Sequence, residues 1–256
     1  MSITDSFDPV GKPLITPADA YQKSPHALDV CLINFSQNIM DALIGDGAVE
    51  PLEADRIRCA SCYFPVYRVR GTDIGVVKTT AGAPITSALA EEISYVYSCR
   101  KFVMFGSCGW LDSSIAPGKL IVPTHAYRDE GVSYHYAPSA DYIEVKNHAF
   151  VASVLNSLGI GYVTGRTWTT DAFYRETDVL CARRRAEGCI AVEMEVSAVQ
   201  AVADFYGLGL YNFLYRADNL DAASRESSYL SDMPHDERLS HFYVALELAH
   251  RAAERN

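Results

Sequence analysis

The sequence predicts an α/β sandwich built on a mixed sheet, and two observations carry that prediction. Segments of strand character alternate with segments of helical periodicity along most of the chain, the pattern that lays helices against a sheet. The length, 256 residues at 49% hydrophobic, supplies enough apolar material for one large core. A single domain is therefore expected over residues 1–256, with residues 1–24 as a polar, extended lead-in.

The first apolar run, Val30-Cys31-Leu32-Ile33, reads as a short strand. Ser36 then stands where an N-cap would open a helix over 36–44, because its hydroxyl can accept from a free N–H of the first turn. Residues 64–70 and 74–78 read as two strands joined by the turn Gly71-Thr72-Asp73. Over 85–99 the spacing of Ile85, Leu89, Ile93 and Val96 puts four apolar side chains on one helical stripe. Strands follow at 101–105 and 119–127, a helix near 147–158, a strand at 160–168 and a helix near 178–187. The last elements are a strand at 190–193, a helix over 196–206, a strand at 210–215 and an amphipathic helix over about 236–255. The polar stretch 221–236 is a candidate active-site flap, since long loops in compact domains are often binding loops.

Composition narrows the function classes. A formal charge of -10 argues against a nucleic-acid surface, which is normally basic. It leaves room for a locally basic anion site. No window is long and apolar enough to span a bilayer, so no membrane partner is expected. The first 13 residues have no basic start and no apolar h-region, so no signal peptide is expected. The seven cysteines, Cys31, Cys59, Cys62, Cys99, Cys108, Cys181 and Cys189, are scattered and odd in number, which suits buried reduced thiols in a cytoplasmic protein. Cys59-Ala60-Ser61-Cys62 has redox or zinc-knuckle spacing, but no second CxxC or His pair completes a zinc set, and no metal is expected.

The segment Ala191-Val192-Glu193-Met194-Glu195-Val196-Ser197-Ala198 carries two carboxylates one residue apart, at the end of an apolar run and before a helical pattern. Carboxylates are costly to bury unless paired or hydrogen-bonded. If strand geometry continues, both point to one face, where two acceptors suit the hydroxyl pair of a sugar. The competing reading is a solvated acidic turn beside a core strand. Downstream, the strand at 210–215 ends in Arg216-Ala217-Asp218-Asn219, a second acid at a strand end, where open α/β sheets bind ligands. Upstream, Lys101-Phe102-Val103-Met104-Phe105 runs into Gly106-Ser107-Cys108-Gly109, read as a small-residue loop that lets a ligand approach the backbone closely.

Seven motifs now stand in one order. They are Thr80-Ala81-Gly82-Ala83-Pro84, Phe105-Gly106-Ser107-Cys108-Gly109, Pro117-Gly118-Lys119-Leu120-Ile121-Val122-Pro123, the segment from Arg128-Asp129-Glu130-Gly131 to Tyr134-His135-Tyr136, Thr170-Asp171-Ala172-Phe173-Tyr174-Arg175-Glu176, Val192-Glu193-Met194-Glu195, and Ala217-Asp218-Asn219. In that order they resemble the nucleoside phosphorylase/nucleosidase family, which includes purine nucleoside phosphorylase, uridine phosphorylase and methylthioadenosine nucleosidase. The resemblance covers roughly residues 74–221. It implies a three-layer sandwich with a central mixed sheet flanked by helices, no cofactor, and an assembly of identical subunits. It also implies cleavage of a nucleoside N-glycosidic bond, a pentosyl transfer.

The resemblance assigns roles residue by residue. Glu195 matches the acceptor for the ribose hydroxyls and Met194 the residue packed on the sugar, with Glu193 a further contributor. Phe173 matches the aromatic that stacks on the base; aromatic faces suit planar heterocycles. Asp218 matches the acid that protonates or hydrogen-bonds the departing purine, which requires partial desolvation to hold its proton near neutrality. Arg225, in the flap, resembles by location an arginine that helps this aspartate, although its spacing from Asp218 does not match cleanly. Uridine-cleaving relatives carry a Gln-x-Arg pair after the aromatic motif; Tyr174-Arg175-Glu176-Thr177 lacks it, which leans toward a purine-like base. His135 matches a supporting or subunit-contact position. Each of these side chains also has an ordinary packing or turn role open to it.

The anion site departs from the resemblance. Phosphorolytic relatives hold phosphate with arginines, whose planar guanidinium matches phosphate oxygens. After the first strand this chain reads Ile33-Asn34-Phe35-Ser36-Gln37-Asn38-Ile39, with no arginine, and a second arginine position holds Met104. Gly82 and Ser107 remain as phosphate contacts, and Arg58, Arg68 and Lys78 are unassigned cations. Asn34, Ser36 and Gln37 are polar groups able to orient a water instead. The sequence thus leads to a nucleoside phosphorylase acting on a purine-like nucleoside with phosphate as co-substrate. Hydrolysis by water is the alternative, and a noncatalytic nucleoside-binding protein is the rival from another class.

Overall fold

The computed structural model describes residues 2–52, 57–60, 62–221 and 235–255. After α1 (Pro17–Ala20), strand β1 (Val30–Asn34) enters the core and α2 (Gln37–Gly45) follows it. Ser36 Oγ accepts from the Ile39 N–H at 3.4 Å, so the cap read from the sequence is in place. Next come β2 (Val49–Leu52), the two-residue strands β3 (Arg58–Cys59) and β4 (Cys62–Tyr63), then β5 (Val66–Val69) and β6 (Ile74–Lys78), an antiparallel pair. Helix α3 (Ala83–Val96) leads to the long strands β7 (Lys101–Trp110) and β8 (Leu120–Asp129). Then come α4 (Ser133–Tyr136), β9 (Tyr142–Glu144), α5 (His148–Ser157), β10 (Tyr162–Thr170) and α6 (Asp178–Ala186), the last capped by Thr177. The chain closes with β11 (Cys189–Glu193), α7 (Val196–Tyr206), β12 (Gly209–Asn219) and α8 (His235–Ala253). Gly207, at φ 64°, supplies the left-handed residue that ends α7.

The main sheet has the order β11-β10-β8-β12-β7-β1-β6-β5-β2, with β9 on β8. β7 runs parallel to β1 and β12 but antiparallel to β11, and β12 is antiparallel to β8, so the sheet is mixed. Pairing of Ala191 with Trp110 and Val192 with Gly109 curls the far edge back onto β7. Strand β11 therefore delivers its last residue, Glu193, beside the late part of β7 and the ends of β1 and β6.

Helices cover both faces. Leu89, Ile93 and Val96 of α3 and Val196, Val199 and Ala203 of α7 share one core with Ile33, Phe102, Met104 and Leu210. Ile39 and Leu43 of α2, Val151 and Leu155 of α5, and Phe242, Leu248 and Ala252 of α8 share the other with Leu32, Val103, Phe105 and Phe213. This is the three-layer arrangement implied by the resemblance.

Three readings need correction. Gly106-Ser107-Cys108-Gly109 is strand, not loop: β7 continues to Trp110 because β12 pairs with it along its full length. Its glycines make room for protein neighbours. A Cβ on Gly106 would lie 2.9 Å from the Phe35 ring, and one on Gly109 would lie 2.9 Å from both Val192 and Leu220. β12 likewise extends beyond 215 to Asn219, with a bulge between Arg216 and Asp218. The strands β2 and β9 and the pair β3–β4 carry no apolar run long enough to read in advance. The lead-in contains the short helix α1, and its Ser24 N–H is tied to Val96 O at 2.7 Å. Of the flap predicted at 221–236, residues 222–234 lie outside the described residues.

Candidate active site

A cleft of about 580 Å³ opens where β1, β6, β7, β11 and β12 converge. Ser107, Phe173, Glu193, Met194 and Glu195 all line it, joined by Phe35, Lys78, Thr79, Thr80, Ala81 and Glu176. Residues from Phe35 to Glu195 thus meet around one space.

The two glutamates do different work. β11 ends at Glu193, and Glu195 sits at φ -138°, ψ -33°, so the strand alternation that would give both side chains one face stops between them. Glu193 Oε1 accepts from the hydroxyls of Thr167 at 3.3 Å and Thr169 at 2.6 Å. Its Oε2 accepts from the Glu195 and Val196 N–H groups, both at 2.7 Å. Four donors leave this carboxylate little capacity for a ligand. It joins β10 to the first turn of α7 instead, where the helix dipole favours negative charge. Glu193, read as a further contributor to the ribose site, thus lines the cleft with its lone pairs already engaged.

Glu195 is 8% exposed and lines the cleft. Its Oε1 accepts from the Gly82 N–H at 2.5 Å and its Oε2 from the Met194 N–H at 3.3 Å. Each oxygen keeps a lone pair for a hydroxyl donor. Burial, reinforced by the charge of Glu193, pushes the Glu195 carboxyl up to about 8. Burial raises Glu193 as well, but all four of its donors favour the ionised form, so the proton of the pair resides on Glu195. Gly82, read as a phosphate contact, donates its N–H to Glu195.

Phe173 lies in a one-turn 3-10 segment (Phe173–Arg175) on the rim, 48% exposed, with its ring 4.1 Å from that of Tyr174. The backbone of Asp218 pairs with Gly109 just after the bulge, and its neighbour Ala217 lines the cleft. The Asp218 side chain lies outside what the structure describes. Asp221 anchors the end of this segment: it accepts from Ser113 N at 2.9 Å and Oγ at 2.6 Å and pairs with Arg185 at 3.2 Å. Arg225 lies outside the described residues. His135 is exposed on α4, away from the cleft lining. The sequence reading missed Phe35, Thr167 and Thr169; the hydroxyls at 167 and 169, two apart on a strand, were the available signal for a buried acid facing them.

A sequence profile described as the phosphorylase superfamily matches residues 41–254. The chain belongs to that superfamily. It is 25% identical over 190 residues to a purine nucleoside phosphorylase DeoD-type of Bacillus cytotoxicus, covering 72% of this chain and 77% of the relative. It is 24% identical over 187 residues to the corresponding protein of Bacillus cereus, with the same coverage. Among solved structures it superposes on the AMP nucleosidase of Bacteroides thetaiotaomicron with a TM-score of 0.70 at 15% identity, covering 89% of this chain and 90% of that one. It superposes on the purine nucleoside phosphorylase of Toxoplasma gondii, in complex with immucillin-H, with a TM-score of 0.71 at 17% identity, covering 91% and 98%. These two likenesses establish the fold.

Membership in the phosphorylase superfamily sharpens the question of the anion site. Met104, at one expected arginine position, is 1% exposed and packs in the core with Ile33 and Phe102. Asn34 donates to Val77 O at 3.1 Å and accepts from Ser36 N at 3.0 Å. Ser36 caps α2, and Gln37 donates to Asp41 at 2.8 Å. The three groups read as able to orient a water are thus engaged locally. Of the unassigned cations, Arg68 is paired with Glu50 and lies 3.9 Å from Asp73 on the sheet edge. Arg58 packs on the Tyr63 ring at 4.6 Å. Lys78 alone of the three lines the cleft. Cys59 and Cys62 face each other across β3–β4, with Cys59 buried and Cys62 exposed.

Proposed function

We propose that this superfamily member cleaves the N-glycosidic bond of a purine-like nucleoside, with inorganic phosphate as the attacking group. The observation that carries the reading is the convergence of Glu195, Met194, Phe173 and Ser107 on one cleft beside the Asp218 strand end. Glu195 holds the ribose hydroxyls and Met194 packs against the sugar. Phe173 stacks on the base from the rim. A phosphate oxygen bonds to C1′ as the C1′–N bond breaks. The bonding pair leaves with the base, and the Asp218 carboxyl supplies the proton at N7. The products are free base and ribose 1-phosphate, and no cofactor enters this balance. The ionised Glu193 behind this wall also favours positive charge on the ribose in the transition state.

Two tests bear on this reading. Chromatography of nucleosides incubated with and without phosphate should show base release that requires phosphate. Substituting Asp218→Asn should slow that release by about 10²–10⁴-fold, the usual worth of a general acid; an unchanged rate would remove Asp218 from the mechanism. Hydrolysis is the second reading, favoured by the buried Met104 where an arginine was expected. It predicts base release indifferent to phosphate. Exposed apolar side chains on the lead-in, Val10, Leu14 and Ile15, support a homo-oligomer, against which light scattering giving a monomer mass would count. The scattered free thiols support a cytoplasmic setting.

A further inference from the structure

Among the described residues lining the cleft, Lys78 is the one cation. It ends β6, directly opposite Asn34 in the β1 pairing, and is half-buried. Lys101 donates to Ala253 O and Arg255 O and Lys146 pairs with Asp204 at 2.9 Å, whereas Lys12 and Lys119 stand outside the cleft. Lys78 has no ion pair or hydrogen bond among the described residues, and neither do the hydroxyls of Ser107 and Thr80 in the same cleft. A cleft ammonium that no described group engages is available to an anionic ligand. The Glu193 carboxylate repels such a ligand, which places it on the β1–β6 side. Arg58 and Arg68 are committed elsewhere, which leaves Lys78 as the one of these three cations open to the role.

We propose that Lys78, assisted by the Ser107 and Thr80 hydroxyls, holds a phosphoryl group in this cleft. A tetrahedral oxyanion accepts from an ammonium and two hydroxyls at once. Lysine is a point charge, without the planar fork of arginine, so the site binds in a single-contact manner and more weakly than an arginine clamp. The proposal rests on the nucleoside-cleaving function above and deepens it. The phosphoryl group has two sources, free phosphate or the 5′-phosphate of a nucleotide substrate, and the experiment separates them.

Base release would be measured for the wild type, Lys78→Ala and Lys78→Arg, against inorganic phosphate, a purine nucleoside and the matching nucleoside 5′-monophosphate. Binding of inorganic phosphate and of the monophosphate would be measured by calorimetry on the same proteins. If free phosphate is the ligand, Lys78→Ala raises the KM for phosphate by about tenfold or more, the worth of one charged hydrogen bond, while the KM for nucleoside holds within about twofold and Lys78→Arg recovers part of the loss. If the ester is the ligand, the same loss falls on the monophosphate and spares the nucleoside. Equal KM values for every substrate in wild type and Lys78→Ala would overturn the proposal. If the wild type releases no base from any substrate, the function above fails, and calorimetry alone decides. Phosphate or monophosphate binding that Lys78→Ala abolishes then sustains the site, and a wild type that binds neither sinks it. Unchanged thermal midpoints of the variants separate lost binding from misfolding.

Discussion

The two sides of the cleft differ in how completely their polar groups are used. On the β11–α7 side, every carboxylate oxygen of Glu193 and Glu195 already accepts a hydrogen bond, and the donors come from β10, α7 and the residue preceding α3. On the β1–β6–β7 side, the Lys78 ammonium and the hydroxyls of Thr80 and Ser107 have no hydrogen-bond or ion-pair partner among the described residues. The first side is built as part of the core; the second offers its groups outward. Polar groups held by the fold position a substrate without reorganising, whereas unengaged groups gain their partners only when a ligand arrives. The contrast suggests a sugar-binding half that is fixed before binding and an anion-binding half completed by what it binds.

Substitutions on the two sides should therefore separate stability from function. The largest effect is expected at Glu193→Ala, which strands two threonine hydroxyls and two N–H groups in a buried space. Its cost is about 3 kcal/mol of folding stability, readable as a lower urea midpoint with an unchanged slope. A midpoint equal to the wild type would mean that the β11–α7 side is not built as argued.

Glu195→Gln is next, and it tests the boundary between the two behaviours. It should lower kcat/KM by about tenfold, because the amide NH2 replaces an oxygen that can accept from a ribose hydroxyl. It also carries a pH signature. The folded protein keeps a proton on Glu195 that the unfolded chain has lost, across the interval from its ordinary value of 4.5 to about 8. The folded state binds more protons there, so the stability contributed by this group falls as pH rises through that interval. Denaturation followed from pH 5 to 8 should show a slope in the wild type that flattens in Glu195→Gln. Equal slopes would place the proton elsewhere.

The smallest effect belongs to Ser107→Ala. Removing a hydroxyl without a partner should change stability by less than about 0.5 kcal/mol, while the KM for the phosphoryl ligand rises by about threefold. A stability loss as large as that of Glu193→Ala would erase the distinction between the two sides.

The same contrast explains which features were legible in the sequence. Apolar runs announced most strands, and the stripe from Ile85 to Val96 announced α3, because burial demands those patterns. Gly106-Ser107-Cys108-Gly109 read as loop because small residues have weak strand preference, and only the partners of β7 extend it. Glu193 and Glu195 looked equivalent at a spacing of two. Their roles diverge because the strand ends between them, which depends on Thr167 and Thr169, more than twenty residues earlier. Arg58, Arg68 and Lys78 were indistinguishable as bare charges; the tertiary neighbours Tyr63, Glu50 and Asp73 remove two of them from consideration.

The four donors on Glu193 have a consequence for how this chain can change over generations. A replacement there is punished through folding, whether or not the protein turns anything over. A glutamate retained at 193 in diverged descendants would therefore testify to a shared scaffold and be silent about activity. Position 78 is under no such constraint from its neighbours. A lineage that exchanged one anionic substrate for another, or gave up catalysis, would record the event there first, with its core unaltered.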